Sequence, residues 1–216
     1  SQIVYTAFAA GWQYFAFSTM KDKDQVSLNS KVLEYLGVLS FGVFVVATLF
    51  DDFVFDLLFS GDYVLGKIVF PYLFLSPLIL MLFQIAANQT LVYKKSYYCT
   101  LSLLSGVIVN MLLNYLLIPI MGIKGAAFAT LCSYVVSLIC IMIVMLKKNW
   151  LYVNRKFTLM CILTCTFVII LLHEKAILSL VSAFLVITII IVFYYKDFMA
   201  ITCRLISDLK KRKIEK

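Results

Sequence analysis

Apolar runs close to twenty residues long recur from one end of this chain to the other. They constrain its fold more than any other feature. Crossing the hydrocarbon core of a bilayer takes about 20 apolar residues in a helix. Runs near that length occupy seven stretches: 3–20, 33–50, 64–82 (running on to 92), 97–121, 126–146, 157–172 and 176–195. Helices and closed barrels are the two architectures that keep every backbone polar group away from lipid. A barrel strand alternates polar and apolar residues over about ten positions, and these runs do not alternate. The pattern therefore predicts an all-α, polytopic transmembrane helical bundle of about seven spans. Composition agrees, with 63% of residues hydrophobic and 14% charged, against about 45–50% and about 25% in a soluble domain.

Charge sets the orientation. If odd-numbered spans cross inward, one side receives Lys21, Lys23, Lys31, Lys94, Lys95, Lys147, Lys148, Arg155, Lys156, Lys196, Arg204, Lys210, Lys211, Arg212, Lys213 and Lys216. The other receives Lys67, Lys124 and Lys175. Basic residues beside span ends resist translocation, so the cytoplasmic side carries the Lys/Arg excess. This division of the 19 cations places the start of the chain outside and the tail, 196–216, in the cytoplasm. The net charge of +8 then needs no nucleic acid to explain it. The run Lys210-Lys211-Arg212-Lys213 reads first as a positive-inside tail; anionic lipid is its alternative partner, at about 1 kcal/mol per residue. Phe198, Ile201, Leu205 and Leu209 recur at helical spacing, which predicts an amphipathic helix along the inner leaflet. Asp51, Asp52, Asp56 and Asp62 fall outside, in what reads as a solvated loop.

Catalytic and metal chemistry find little to work with. Of the six cysteines, Cys99, Cys132, Cys140, Cys161 and Cys165 lie within spans or at their inner ends, and Cys203 lies in the tail. None falls in an outer loop, where an oxidising compartment forms disulfides. Cys161 and Cys165 share a helix face, but no His or further Cys stands near to complete a metal site. The single His173 sits in a short outer turn with Glu174 and Lys175.

The spans do carry neutral polar residues on particular faces. Ser102, Gly106, Asn110 and Asn114 recur every four residues, which sets them along one stripe of a helix with about 3.6 residues per turn. Pro77, Gln84 and Asn88 share a face of the third span, with Gln89 beside it, and Pro71 and Pro77 are placed to bend that helix. Ala126, Ala129, Thr130, Ser133 and Ser137 form a small-residue face on the fifth. The first contributes Trp12, Gln13 and Tyr14. Two readings compete. Small residues let helices approach, and Ser, Thr or Asn bond across them for about 0.6–2 kcal/mol each. Alternatively, the side-chain amides line a watery path and meet sugar hydroxyls without the cost of a buried charge. The small-residue face reads as packing; Gln13, Gln84, Asn88, Asn110 and Asn114 are the candidates for the path. The last two spans lack such stripes and read as a lipid-facing accessory pair.

The string Asn110-Met111-Leu112-Leu113-Asn114-Tyr115-Leu116-Leu117-Ile118-Pro119-Ile120-Met121-Gly122-Ile123-Lys124-Gly125-Ala126-Ala127-Phe128-Ala129-Thr130 joins the fourth and fifth spans through a tight turn. It resembles the polysaccharide-transporter branch of the multidrug/oligosaccharidyl-lipid/polysaccharide exporter superfamily, whose members flip lipid-linked sugar repeat units. Residues 10–15, Ala-Gly-Trp-Gln-Tyr-Phe, resemble the aromatic stretch of that family's eighth span. Residues 57–63, Leu-Leu-Phe-Ser-Gly-Asp-Tyr, followed by Pro71, resemble the approach to its tenth, and Tyr93-Lys94-Lys95 the basic loop after it. The resemblance implies the second lobe of a bilobed transporter of 12–14 spans. The core of the lobe would be 1–147, with 157–195 an accessory pair and a first lobe ahead of Ser1.

What the resemblance implies is transport by alternating access, without enzymatic activity, in a bacterial-type inner membrane. The cargo would be a polyprenyl-diphosphate-linked oligosaccharide destined for a surface polysaccharide such as O-antigen or capsule. Gly122 and Gly125 join Pro71 and Pro77 as bending points. Partners would be membrane lipids, the first lobe, and polysaccharide polymerase and glycosyltransferases; a coupling proton or sodium ion is compatible with the mechanism, and no cofactor is expected. A drug/cation antiporter of the same superfamily normally uses a membrane-embedded carboxylate, which these spans lack. A lipid II flippase of the same superfamily is a second alternative. A membrane-bound glycan polymerase or acyltransferase would be expected to cluster His, Arg or Asp on the outer side, and an isolated structural subunit is the plainest alternative.

Overall fold

The computed structural model describes residues 11–12, 14, 16–19, 24–58, 66–172 and 176–214, as backbone alone at 58, 172, 176–177, 198 and 200–214. Among the described residues the regular structure is helical throughout. Helix α1 spans Gln25–Leu49, α2 Asp51–Leu58, α3 Phe70–Val92, α4 Tyr97–Met121, α5 Ile123–Lys147, α6 Arg155–Leu172 and α7 Ala176–Ile214. Five stretches are long and apolar enough to cross a membrane: Gln25–Leu49, Gly66–Val92, Tyr97–Met121, Ile123–Lys147 and Leu178–Asp197. The chain is a multi-pass helical membrane protein. These stretches coincide with the second, third, fourth, fifth and seventh apolar runs. Helix α6 covers the sixth with 18 residues, and the first run lies largely outside the described residues.

Three boundaries differ from expectation. Helix α1 begins at Gln25, eight residues ahead of its apolar run; residues 25–32 contain no Gly or Pro to stop it, and its polar first turns are held by the bonds described below. Asp51, Asp52 and Asp56 lie on the short helix α2 and not in a loop. Acidic residues suit a first helical turn because the helix dipole is positive there. Asp51 Oδ1 accepts the Asp52 backbone N–H at 2.7 Å, Asp52 pairs with Lys67, and buried Phe55 packs edge-on to Phe70 with ring centroids 5.4 Å apart. Burial raises the Asp51 carboxyl above its ordinary pKa, against the opposing pull of Lys67. Asp62 and His173 lie outside the described residues. The tail, finally, is no separate element: α7 continues unbroken for 39 residues, since nothing between 195 and 214 interrupts a helix.

The chain divides into two compact units, Ser1–Phe157 and Thr158–Lys216. In the first, the long helices pack in the series α1, α3, α5, α4. Its core is Leu33, Val38, Phe44 and Val45 from α1, Tyr72, Leu75, Leu82 and Ile85 from α3, and Ala129, Leu131, Ile141 and Met145 from α5. Phe157 closes over Gly37, whose missing side chain leaves room for the ring, and stacks on Phe41 at 6.2 Å. In the second unit, Met160, Thr164 and Phe167 share the buried face of α6, and Ala183, Val186 and Tyr194 are the buried positions of α7.

Helix α4 stands at the end of the series, where α5 covers it with a lesser contact from α3, and most of its surface faces outward. Only 11% of its spanning window is buried. Lipid tails are as apolar as leucine, so close van der Waals fit holds such a helix in place. Ser102 and Gly106 are the buried positions. A Cβ at Gly106 would strike the Ser137 hydroxyl and stand 2.7 Å from the Ser133 carbonyl oxygen; one at Gly125 would stand 2.6 Å from the Leu117 carbonyl oxygen. The two helices thus touch backbone to backbone at both places.

Candidate functional site

Hydroxyls within the spans mostly bond to their own helix. Ser76 donates to the Tyr72 carbonyl at 2.7 Å, Thr90 to Ala87 at 2.6 Å, Thr130 to Ala126 at 3.0 Å, Ser133 to Thr130 at 2.7 Å and Ser137 to Ser133 at 3.0 Å. Such back-bonding satisfies a hydroxyl without any outside partner. The small-residue face of α5 is accordingly a packing surface, with Ala129, Ser133 and Ser137 buried. An amide side chain has more donors and acceptors than its own helix can satisfy, which leaves the amides as candidates.

On α4, Asn114 Nδ2 donates to Asn110 Oδ1 at 2.9 Å. The two are half-buried along the seam with α5, and the Asn114 carbonyl oxygen is enclosed without a partner. On α3, Gln84 is half-buried one turn from Asn88. Asn88 is 1% exposed, and neither its oxygen nor its nitrogen is bonded. The structure brings Asn110 and Asn114 together and bonds them to each other. Gln13 lies outside the described residues.

Of the four bending positions, Pro77 alone stands inside a helix where it removes a backbone bond. Pro71 occupies the first turn of α3, where proline starts a helix and does not bend it. Gly122 is the junction between α4 and α5, with φ +57° and ψ −133°, a conformation open to glycine. Gly125 lies within α5 and serves the close approach to Leu117.

A second polar cluster, absent from the expectations, occupies the end of the first unit where α3 and α5 finish and α1 begins. Asn29 Nδ2 donates to Gln89 Oε1, and Gln89 Nε2 donates to the Trp150 carbonyl at 3.3 Å. Ser30 Oγ accepts the Tyr152 backbone N–H at 2.8 Å, and Asn154 Nδ2 donates to Glu34 Oε1 at 3.3 Å. The α5–α6 loop is thereby tied to α1 and α3. The available signal was Asn29-Ser30 followed by Glu34, together with Trp150 and Tyr152 beside the basic pair Lys147-Lys148. An aromatic–basic mixture of that kind marks a membrane boundary.

Both helices at this end finish with the same motif. Lys94 and Asn149 take the left-handed conformation, each at φ 56°. After α3, the Lys94 N–H reaches the Leu91 carbonyl at 2.9 Å and the Lys95 N–H reaches Thr90 at 2.8 Å; after α5, Asn149 reaches Leu146 at 3.2 Å and Trp150 reaches Met145 at 2.9 Å. These paired bonds form the Schellman ending, which satisfies the last carbonyls of a helix. Tyr93 stacks on Trp150 with ring centroids 4.2 Å apart and planes 8° from parallel. Burial, and then the neighbouring Tyr152, raise the pKa of the Tyr93 hydroxyl, so it adds no negative charge here at neutral pH.

The described basic residues of the first unit divide between its ends. Lys94, Lys95, Lys147, Lys148, Arg155 and Lys156 flank the α3–α4 turn and the α5–α6 loop, joined by the Tyr93–Trp150 stack, and Lys31 lies at the same end, next to Ser30 of α1, which holds that loop. Lys67 and Lys124 precede α3 or open α5 at the opposite end, where Tyr72 packs edge-on to Phe128 at 6.0 Å. No protein-family model, curated protein or solved structure matches this chain.

Proposed function

We propose that this chain is a lobe of a membrane carrier that moves a lipid-linked oligosaccharide across a bacterial-type cytoplasmic membrane by alternating access, with its tail in the cytoplasm. The observation that carries the reading is the Asn110–Asn114 pair, in a string resembling the polysaccharide transporters, on a helix whose span is mostly uncovered. A buried amide oxygen without a partner costs about 1–3 kcal/mol. Such a cost is reasonable where the amide meets a sugar hydroxyl during transport. The unbonded Asn88 belongs to the same argument. Binding near the midplane by neutral groups, with the lipid tail left in the bilayer, fits alternation about a fixed site. A first lobe would cover the outward face of α4 and close the path.

The test uses the full-length protein in cells that depend on it for surface glycan. Asn110→Leu with Asn114→Leu is expected to lower glycan export at least tenfold while the protein still inserts at its normal level. Unchanged export at normal level disposes of the assignment. Export of a cationic drug, with no effect on glycan, would favour the antiporter instead.

A further inference from the structure

At the basic end of the first unit, two loops of identical build meet face to face. The Schellman endings of α3 and α5 place Lys95 and Trp150 at equivalent positions, one residue beyond the left-handed Lys94 and Asn149. Lys95 Nζ then stands 6.0 Å from the centre of the Trp150 ring, and Tyr98 lies edge-on to that ring at 6.2 Å. Tyr97 and Tyr98 open α4 with their rings 4.2 Å apart. Lys148 is the C-cap of α5, two residues ahead of Trp150, and so stands on the other loop beside that residue. Among the described residues, Lys94, Lys95, Lys147 and Lys148 have no carboxylate partner. Glu34, on the helix packed beside them, is occupied by Asn154.

The plain alternative is that these lysines offset the negative ends of two helix dipoles. Each helix end carries about half a charge, and its carbonyls are already bonded here. Four lysines therefore exceed what two helix ends require. The excess stands where two spans end and a third begins, at the depth where aromatic residues sit among headgroups. Basic pockets between spans hold anionic headgroups at that depth.

We propose that the α3–α4 turn and the α5–α6 loop together clamp the phosphate of an anionic phospholipid, with Lys95 and Lys148 on either side, the Tyr98 hydroxyl as donor, and Trp150 at headgroup level. The Tyr93–Trp150 stack and the Gln89 bond to the Trp150 carbonyl hold the two loops at a fixed separation. The clamp depends on the membrane setting alone and not on the nature of the cargo.

Trp150 reports on the site directly. The chain has two tryptophans, so Trp12→Phe leaves Trp150 as the only one. The full chain carrying that change is reconstituted into phosphatidylcholine vesicles containing either brominated phosphatidylglycerol or brominated phosphatidylcholine, and quenching of Trp150 is followed against mole fraction. The anionic lipid is expected to quench at a lower mole fraction, by roughly fivefold for each contributing lysine. Lys95→Gln with Lys148→Gln should abolish that preference, and Lys95→Arg with Lys148→Arg should retain it. Equal quenching by the two lipids in the parent overturns the proposal, as does a preference that survives the double Gln change. Loss of the preference on neutralising Lys210, Lys211, Arg212 and Lys213 assigns it to the tail and also overturns the clamp. Loss on adding inorganic phosphate would make the site one for free anions and overturn the assignment to a phospholipid.

Discussion

Asn88 is only 1% exposed, yet its amide has no partner in the protein. Gln89, the next residue, bonds on both sides, to Asn29 and to the Trp150 carbonyl. A single helix position separates a structural amide from an unsatisfied one. Replacing an unsatisfied buried amide by an apolar side chain removes its desolvation cost of about 1–3 kcal/mol. Asn88→Leu is therefore expected to raise resistance to unfolding in detergent by about 1–2 kcal/mol, while lowering transport if the path runs past this residue. A loss of stability would mean that a buried water or ion satisfies the amide. The sequence marked both residues as polar intrusions in an apolar run. It could not separate them, because the partners of Gln89 come from Asn29 and Trp150, about sixty positions away on either side. Asn29 itself was hidden because its segment read as loop.

At the level of elements, the hairpin of α4 and α5 was legible from spacing: the recurrence of Ser102, Gly106, Asn110 and Asn114 marks a stripe, and the structure buries its first two members against α5. What spacing could not tell was that Gly122 and Gly125 have different duties. Gly122 adopts a φ of +57° with nothing near its missing side chain, whereas Gly125 has the Leu117 carbonyl against it. Gly106 is the stricter case, because Ser133 offers a fixed backbone carbonyl and Ser137 its hydroxyl. Overpacking of this kind costs about 1–3 kcal/mol. Gly106→Ala should therefore lower the stability of the detergent-solubilised protein by that amount and separate α4 from α5. Gly122→Ala should cost about 1–3 kcal/mol, the strain of placing a side chain at φ +57° and ψ −133°, a mirror-image extended conformation. A loss at Gly106 well below about 1 kcal/mol, measured by denaturant titration, would show that the seam can yield there. Helix ends were less legible than helices: α1 and α7 extend beyond their apolar runs because hydropathy registers lipid, and the backbone stays helical until something stops it.

For the molecule as a whole, the charge count and the packing are independent observations that point to one arrangement of the first unit. The count needs only the order of the spans. The packing rests on the Tyr93–Trp150 stack at one end and the Tyr72–Phe128 contact at the other. Had a span been missed or added between α3 and α5, the lysines after α3 and those after α5 would lie on opposite sides and their loops could not stack. The agreement holds within the bundle and leaves open which end faces the cytoplasm, where the positive-inside rule supplies the expectation. A single-cysteine series tests it. In a background without native cysteines, a cysteine placed at Lys67 or Lys124 should react with a membrane-impermeant maleimide added to intact cells. One placed at Lys94 or Lys148 should react only after the membrane is opened. Reversal of both pairs would turn the bundle over while preserving its packing, because the internal contacts do not depend on which side carries the tail. Labelling of Lys94 and Lys148 on different sides would be a more serious result, since the stacked loops cannot be separated by a membrane. It would overturn the arrangement of α3, α4 and α5 itself, and with it the clamp and the shared path.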